Sequence, residues 1–301
     1  MVFSVQSRHR LTRISEGTYG VTPASPSMIR TRHSACTLSL AQQTIESDEI
    51  RDDRQIGHFL HGQKSVSGTI DFEMNYSGYD DLLAAAFYGN WTGDTLKTGT
   101  TEHSYTFERG FTDISQYQAF TGCIIDEMAL SIQPGSLITG QFEIQGRNMS
   151  MSETALDGVP EPGSVLAPMD SFQGVLKEEG TALALAAGLD LKLENGTEQT
   201  FTLGEDSAHS VTAGRSRVSG ELTAYFENAA LINKFLNKTE STLEIELVGA
   251  GGRYQILLPR ILYTGADMPV SGEDVMIMTL PFAALYDEAE MTNIKITRIA
   301  G

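Results

Sequence analysis

Apolar and polar residues alternate with a period of two along several stretches of this chain. From Val66, the residues Val66, Gly68, Ile70, Phe72 and Met74 form one set, and Ser67, Thr69, Asp71, Glu73 and Asn75 the other. Successive side chains of a strand point to opposite faces, so the pattern predicts a strand buried on one side and wet on the other. The same alternation recurs with Val218, Gly220, Leu222, Ala224 and Phe226 against Ser219, Glu221, Thr223, Tyr225 and Glu227. Shorter examples set Ile138, Gly140, Phe142 and Ile144 against Thr139, Gln141, Glu143 and Gln145, and Leu243, Ile245 and Leu247 against Glu244 and Glu246. Strands of a parallel sheet covered on both faces read as continuous apolar runs, so these are half-buried antiparallel strands and the fold class is mainly β.

Two of these strands open alike, Val66-Ser67-Gly68 and Val218-Ser219-Gly220, and each runs into a short apolar helical stretch, residues 79–87 and 228–236. A duplicated strand-to-helix unit is predicted, giving two tandem β-sandwich or barrel modules, each with a short helix. A chain of 301 residues is long enough for two such domains, each with its own core. The Pro- and Gly-rich stretch from Asp157 to Pro168 reads as the linker. The expected division is an extended N-terminal arm over 1–34, a first module over 35–160, and a second over 161–301. The arm carries Arg8, Arg10, Arg13, Arg30 and Arg32 in a Ser/Thr/Pro-rich setting. Within the first module, residues 42–64 have no clean strand or helix period and read as a long charged loop, a length that is usually functional or disordered. Residues 89–120, polar with Trp91 and several aromatics, read as an insertion that the second module largely lacks.

Net charge is −18. A polyanion is bound largely through Lys and Arg that displace counterions, so tight wrapping of nucleic acid is excluded as a main activity. Cys36 and Cys123 lie far apart without metal-like spacing and are expected as two reduced thiols. The first residues lack the apolar core of a signal peptide, and no later run approaches the ~20 apolar residues of a membrane span, so a soluble protein without a membrane anchor is expected.

Candidate chemistry is sparse. His58 and His61 have a spacing that could bring two imidazoles together, but a zinc site needs three or four ligands and no obvious remainder exists, so no metal is expected. The adjacent pairs Asp52-Asp53, Asp80-Asp81, Asp126-Glu127 and Glu178-Glu179 read as solvated surface, since neighbours on a strand face opposite ways. No nucleophile elbow, phosphate-cradling Gly-rich loop with Lys or metalloprotease helix is found, so neither an enzyme nor a cofactor is expected. Gly68 and Gly220 read as sites of a strand bend or close backbone approach. Asp71, Glu73, Glu143, Glu221, Glu244 and Glu246 project from wet strand faces, either as the ordinary outer face of soluble sheets or as a functional set.

Several stretches together carry a family resemblance: Glu46 to Gln55, Gly62 to Ile70, Tyr79 to Ala86, the opening Arg13 to Pro23, and Glu108 to Tyr117 with Phe120 to Cys123. The chain resembles the tail tube (major tail) proteins of long-tailed bacteriophages. The resemblance implies a structural virion protein, made in the host cytoplasm and built into the tail. Its β-sandwich domains would join neighbouring subunits into a barrel, and rings would stack into a conduit for genome delivery. Family tubes are commonly sixfold with one domain per subunit. Two modules here imply three chains per ring with pseudo-sixfold symmetry. Its partners would be itself and other tail proteins at the tube ends, with DNA passing through unbound. The six carboxylates named above would line the lumen, and Glu49, Arg51, Asp52, Asp53 and Arg54 would form a loop reaching an adjacent ring. A competing reading is a carbohydrate-binding or hydrolytic β-sandwich that uses Trp91 and Tyr105 as a platform; a third is a capsid decoration or baseplate component.

Overall fold

A computed structural model of the chain describes residues 3–53, 55–183, 185–269 and 275–301. Ten strands lie in the first half: β1 (His9–Ser15), β2 (Ile29–Arg30), β3 (Ala35–Cys36), β4 (Ser39–Glu46), β5 (Phe59–Glu73), β6 (Thr95–Lys97), β7 (Tyr105–Phe111), β8 (Gln116–Ile132), β9 (Thr139–Gly146) and β10 (Asn148–Ser152). The second half holds β11 (Val175–Glu178), β12 (Thr181–Ala182), β13 (Ala186–Glu194), β14 (Glu198–Thr200), β15 (Ser210–Thr212), β16 (Arg217–Tyr225), β17 (Ser241–Gly249), β18 (Gly252–Tyr263), β19 (Ile277–Ala284) and β20 (Lys295–Ala300). Helix α1 (Asp80–Ala86) follows β5 and α2 (Ala230–Leu236) follows β16. The chain is mainly β, and every pairing between named strands is antiparallel.

One sheet runs through both halves. Its order is β4, β5, β9, β8, β13, β16, β19, with the end of β18 beyond. The central joint pairs Leu189 to Glu194 of β13 with Ile132 to Glu127 of β8. Strand β8 does two jobs because it is 17 residues long: its first part pairs with β7 and β10 in a second sheet, its last part with β9 and β13. A bulge between Ile125 and Glu127 marks the crossing, as bulges bend strands.

The order of pairings recurs between the halves. β4–β5–β9–β8 is matched by β13–β16–β19–β18, and β1–β7–β8–β10 by β11–β17–β18–β20. The register is shared too, with Val66 opposite Gly146 and Gly68 opposite Ile144, and Val218 opposite Ala284 and Gly220 opposite Phe282. The buried face carries the apolar set of each strand. Val66, Ile70, Phe72, Phe142, Ile144, Leu191, Leu193, Leu222 and Leu280 join one core cluster with Leu11 of β1 and Phe107 of β7. Each such side chain contributes on the order of 1.5–3 kcal/mol when fully buried.

Several segments differ from their sequence reading. Within residues 1–34, His9–Ser15 is a strand paired along its whole length with β7, and Leu11, Thr12 and Arg13 are buried there. Residues 42–64, read as a loop, form much of the β4–β5 hairpin. Its residues are exposed on both faces from Ala41 to Asp53, so no alternation was there to be read. The insertion is shorter than expected, because β7 and the start of β8 have counterparts in β17 and β18, leaving the α1-to-β7 connection with β6 as the extra piece. Gly68 and Gly220 are both close backbone approaches. Gly68 has φ +150° and a Cβ there would lie 2.7 Å from the Leu38 backbone; at Gly220 it would lie 2.4 Å from the Asp190 carbonyl oxygen.

Candidate functional site

The polar face of the continuous sheet is a sequence of aligned rows. Straight across the strands run Glu73, Thr139, Ser131, Asp190, Glu221 and Pro281. The next row holds Asp71, Gln141, Ala129, Lys192, Ser219 and Ala283. A third holds Thr69, Glu143, Glu127, Glu194 and Arg217. Seven carboxylates (Glu73, Asp190, Glu221, Asp71, Glu143, Glu127 and Glu194) therefore share this face with two cations, Lys192 and Arg217. A shallow trough of about 830 Å³ lies along it, floored by residues such as Asp71, Ser131, Asp190, Lys192 and Glu221.

The carboxylates are only partly neutralised. Lys192 Nζ lies 2.8 Å from Glu127 and 2.9 Å from Glu194, and these two hydrogen bonds push its ammonium well above the usual lysine range. Asp190 accepts a 2.6 Å hydrogen bond from Ser131 Oγ, and Asp71 a 2.7 Å bond from Gln141 Nε2. Partial burial, followed by the negative charges of Glu127 and Asp126, raises the Glu143 carboxyl above its ordinary value. Like charges opposite one another on a sheet repel, so this face carries electrostatic strain.

Of the expected acidic set, Asp71, Glu73, Glu143 and Glu221 come together on this face. Glu244 and Glu246 do not. They lie on β17, which pairs with β11 and β18 outside the continuous sheet. Glu244 is held by Lys177 at 2.5 Å, which lowers its carboxyl, and Glu246 by Arg253 at 2.9 Å. Alternation finds the wet face of a strand but not which sheet the strand joins, so a shared pattern did not bring these two to the face of the other four. Sequence reasoning also missed Glu127, Asp190 and Glu194. The last two stand in a clean alternation, Leu189-Asp-Leu-Lys-Leu-Glu194, that was there to be used.

The seam between the halves is built around Asn195, at the end of β13. Its buried amide donates to Ala86 O at 2.9 Å and to Ile125 O at 3.2 Å, tying the end of α1 and the β8 bulge to the second half. Asp126, the bulge residue, accepts from Thr197 N at 2.7 Å. Val211 packs on Tyr88 and Ile124. Elsewhere on the seam, Asp80 of α1 takes a hydrogen bond from Tyr254 and a 2.7 Å ion pair from Arg298, whose guanidinium lies 4.2 Å from the Trp91 ring centre. Trp91 donates to Asp80 O, and Tyr105 is buried. Neither ring is the exposed platform that a carbohydrate-binding reading requires.

The β4–β5 hairpin carries the other expected site. Glu49, Asp52 and the ion-paired Arg51 and Asp53, 2.7 Å apart, are all exposed at its tip; Arg54 lies outside the described residues. Ile45, Ile50, Ile56, Phe59 and Leu60 are each more than half exposed. The outer edge of β4 pairs with no strand among the described residues.

Among the described residues no helix is long and apolar enough to cross a membrane. No curated protein sequence gives a significant match. An antiparallel sheet shared between two like-paired halves and presenting a wet acidic face defines a mainly β protein. The chain belongs to the phage tail tube protein family, which it matches over residues 6–284. Membership implies a structural part in the virion tail, self-assembly into a tube and contact with other tail components.

Proposed function

We propose that three copies of this chain close into a ring and that rings stack into an acidic-walled conduit for DNA. One observation carries the reading: the continuous sheet takes four strands from each half and ends in edges that find no partner among the described residues. Exposed edges invite association, and closure into a barrel removes them. Eight strands from each of three chains make 24, and at ~4.8 Å spacing and a tilt near 40° they enclose a backbone diameter of roughly 48 Å, room for duplex DNA after side chains are added.

The two halves, dividing near residue 160, arose by duplication of one tail-tube module; their matching pairings and shared register support this. The wet face of the sheet turns inward, so that Asp71, Glu73, Glu143 and Glu221, with Glu127, Asp190 and Glu194, line the lumen. Phosphate charges spaced about 1.7 Å along the DNA axis meet that wall within a Debye length of ~8 Å and are repelled. DNA passes without specific binding. Glu244 and Glu246 belong to the outward sheet. At the hairpin tip, Glu49, Arg51, Asp52 and Asp53 reach the adjacent ring; single exposed pairs are worth only ~0.2–1 kcal/mol, so the contact works through repetition around the ring.

Electron microscopy of the purified, concentrated protein tests this. Tubes built of rings of three chains are expected. Rings of six whole chains overturn the stoichiometry, and a monomer that never assembles overturns the tube itself.

A further inference from the structure

The two short helices have the same length and the same place after their strand, yet opposite environments. Every residue of α1 from Leu82 to Ala86 is buried, whereas α2 buries none. Ala86, the last residue of α1, is 0% exposed; its counterpart Leu236, the last of α2, is 65% exposed. Part of what seals α1 is the end of β13, through Asn195. Nothing within the described chain does this for α2.

The internal seam specifies what would. Shared register makes Ser39 the counterpart of Lys192, because Ser39 faces Ser67 and Lys192 faces Ser219. Three residues on, Gln42 is the counterpart of Asn195. On the other side, Tyr263 faces Phe282 as Ile125 faces Ile144, so Tyr263 is the counterpart of Ile125. Beyond it, Thr264 N bonds Pro281 O and Asp267 bridges Thr279, so this segment follows β19 as Asp126 to Ala129 follow β9. In the seam, Ala129 faces Lys192 and Glu127 faces Glu194.

We infer that α2 and the segment Thr264 to Asp267 form a docking surface for the β4 edge of a second copy of this chain, in the register Ser39 opposite Asp267 and Ala41 opposite Gly265. This rests on the ring reading and specifies its joint. The Gln42 amide, which among the described residues of the single chain reaches Gly62 O at 3.3 Å, donates instead to Leu236 O and Tyr263 O of the neighbour, as Asn195 does to Ala86 O and Ile125 O. Apolar surface supports the same occupant. Leu236 and Met268 on one side are exposed, as are Phe59 and Leu60 at the hairpin on the other. A two-stranded hairpin exposed on both faces is marginal alone, and seating its base on a neighbour supplies the missing packing. The contact is head-to-tail, with different patches on the two partners, so it builds rings when the rotation closes.

Paired cysteines read the register. Directly opposed strand residues have Cα atoms within the 4.4–6.8 Å that a disulfide spans. Ser39 and Asp267 are both exposed, so a Ser39→Cys/Asp267→Cys chain in a Cys36→Ser background keeps its fold. Oxidised after concentration, it should give a non-reducing ladder that ends at the closed ring, while each single variant stays uncross-linked. Adding Leu236→Asp should cut cross-linking at least tenfold with an unchanged melting curve of the isolated chain. If wild-type rings are visible but the double-cysteine chain does not cross-link, or if Leu236→Asp assembles like wild type, the docking surface is overturned and the tube reading stands. If wild-type chains never associate, both fall.

Discussion

Replacing Glu143 by Gln should make the isolated chain more stable, not less. Glu143 stands opposite Glu127 across the β8–β9 pair, with Asp126 and Glu194 close by in the same region and Lys192 already engaged by Glu127 and Glu194. Side chains directly opposite on a sheet have Cβ atoms about 4.5–5.5 Å apart, which places the carboxylates roughly 5–6 Å from one another. At that distance and an effective dielectric of about 60, one like-charge pair costs ~1 kcal/mol, and Lys192 together with solvent screening brings the net to roughly 0.5–1 kcal/mol. The sign follows from the raised Glu143 carboxyl: the folded state holds the proton more tightly than the unfolded one, so the penalty is present above the folded pKa and fades as pH falls through it. Urea unfolding of dilute, unassembled protein at neutral pH should show the gain at low salt. Ionic strength near 1 M, where the Debye length is about 3 Å, should erase most of it. A destabilised Glu143→Gln, or a gain indifferent to both salt and pH, would refute the idea that this face is under electrostatic strain.

Other perturbations test the rest of the frame. Asn195→Ala should cost about 2–4 kcal/mol in the same unfolding assay, because two buried carbonyls, Ala86 O and Ile125 O, lose their donor; a loss under 0.5 kcal/mol would mean that the seam is held elsewhere. Gly140→Ala should cost about 1–3 kcal/mol, since a Cβ there would sit 2.4 Å from the Phe72 ring, and adding Phe72→Leu should recover part of it. Burial, then the neighbouring His33 and Arg109, lowers His9 to about 4, below its unfolded value near 6.5. Its stabilising neutral form is fully effective above the unfolded value and is lost as pH falls from about 6.5 toward 4, so melting temperature should drop over that window and drop less in His9→Gln.

Much of the fold was legible because burial on one face writes itself into the sequence every second residue. Val66 to Glu73 lie in β5 and Val218 to Tyr225 in β16, with Val66, Ile70, Phe72, Val218, Leu222 and Ala224 buried as expected, and both apolar stretches after them hold helices. The β4–β5 hairpin was not legible, since strands wet on both faces leave no period. The acidic face was legible only in part. Asp71, Glu73, Glu143 and Glu221 could be assigned a wet side, but whether two wet sides belong to one sheet depends on pairings between residues far apart in the chain, as between β8 and β13. Glu244 and Glu246 show the consequence, with the same local pattern on a different sheet. Asp126 was unreadable for another reason. A bulge shifts the phase of the alternation, and the residue that joins the seam sits where the pattern breaks.

The period of two also lets one strand carry cohesion and charge separately. On β13, Leu189, Leu191 and Leu193 enter the core while Asp190, Lys192 and Glu194 stand on the acidic face, so adhesion and repulsion occupy opposite sides of the same six residues. Charges on the wet face weaken the single chain by amounts of order 1 kcal/mol, small beside the roughly 1.5–3 kcal/mol of each buried leucine behind them. A sheet built this way tolerates a repulsive face as long as its apolar face stays covered and its edges find partners. In this chain the first condition is met internally. The second is met at the β8–β13 joint and, among the described residues, left open at β4 and along the Thr264–Asp267 segment beside β19, the two edges that the inferred docking would join.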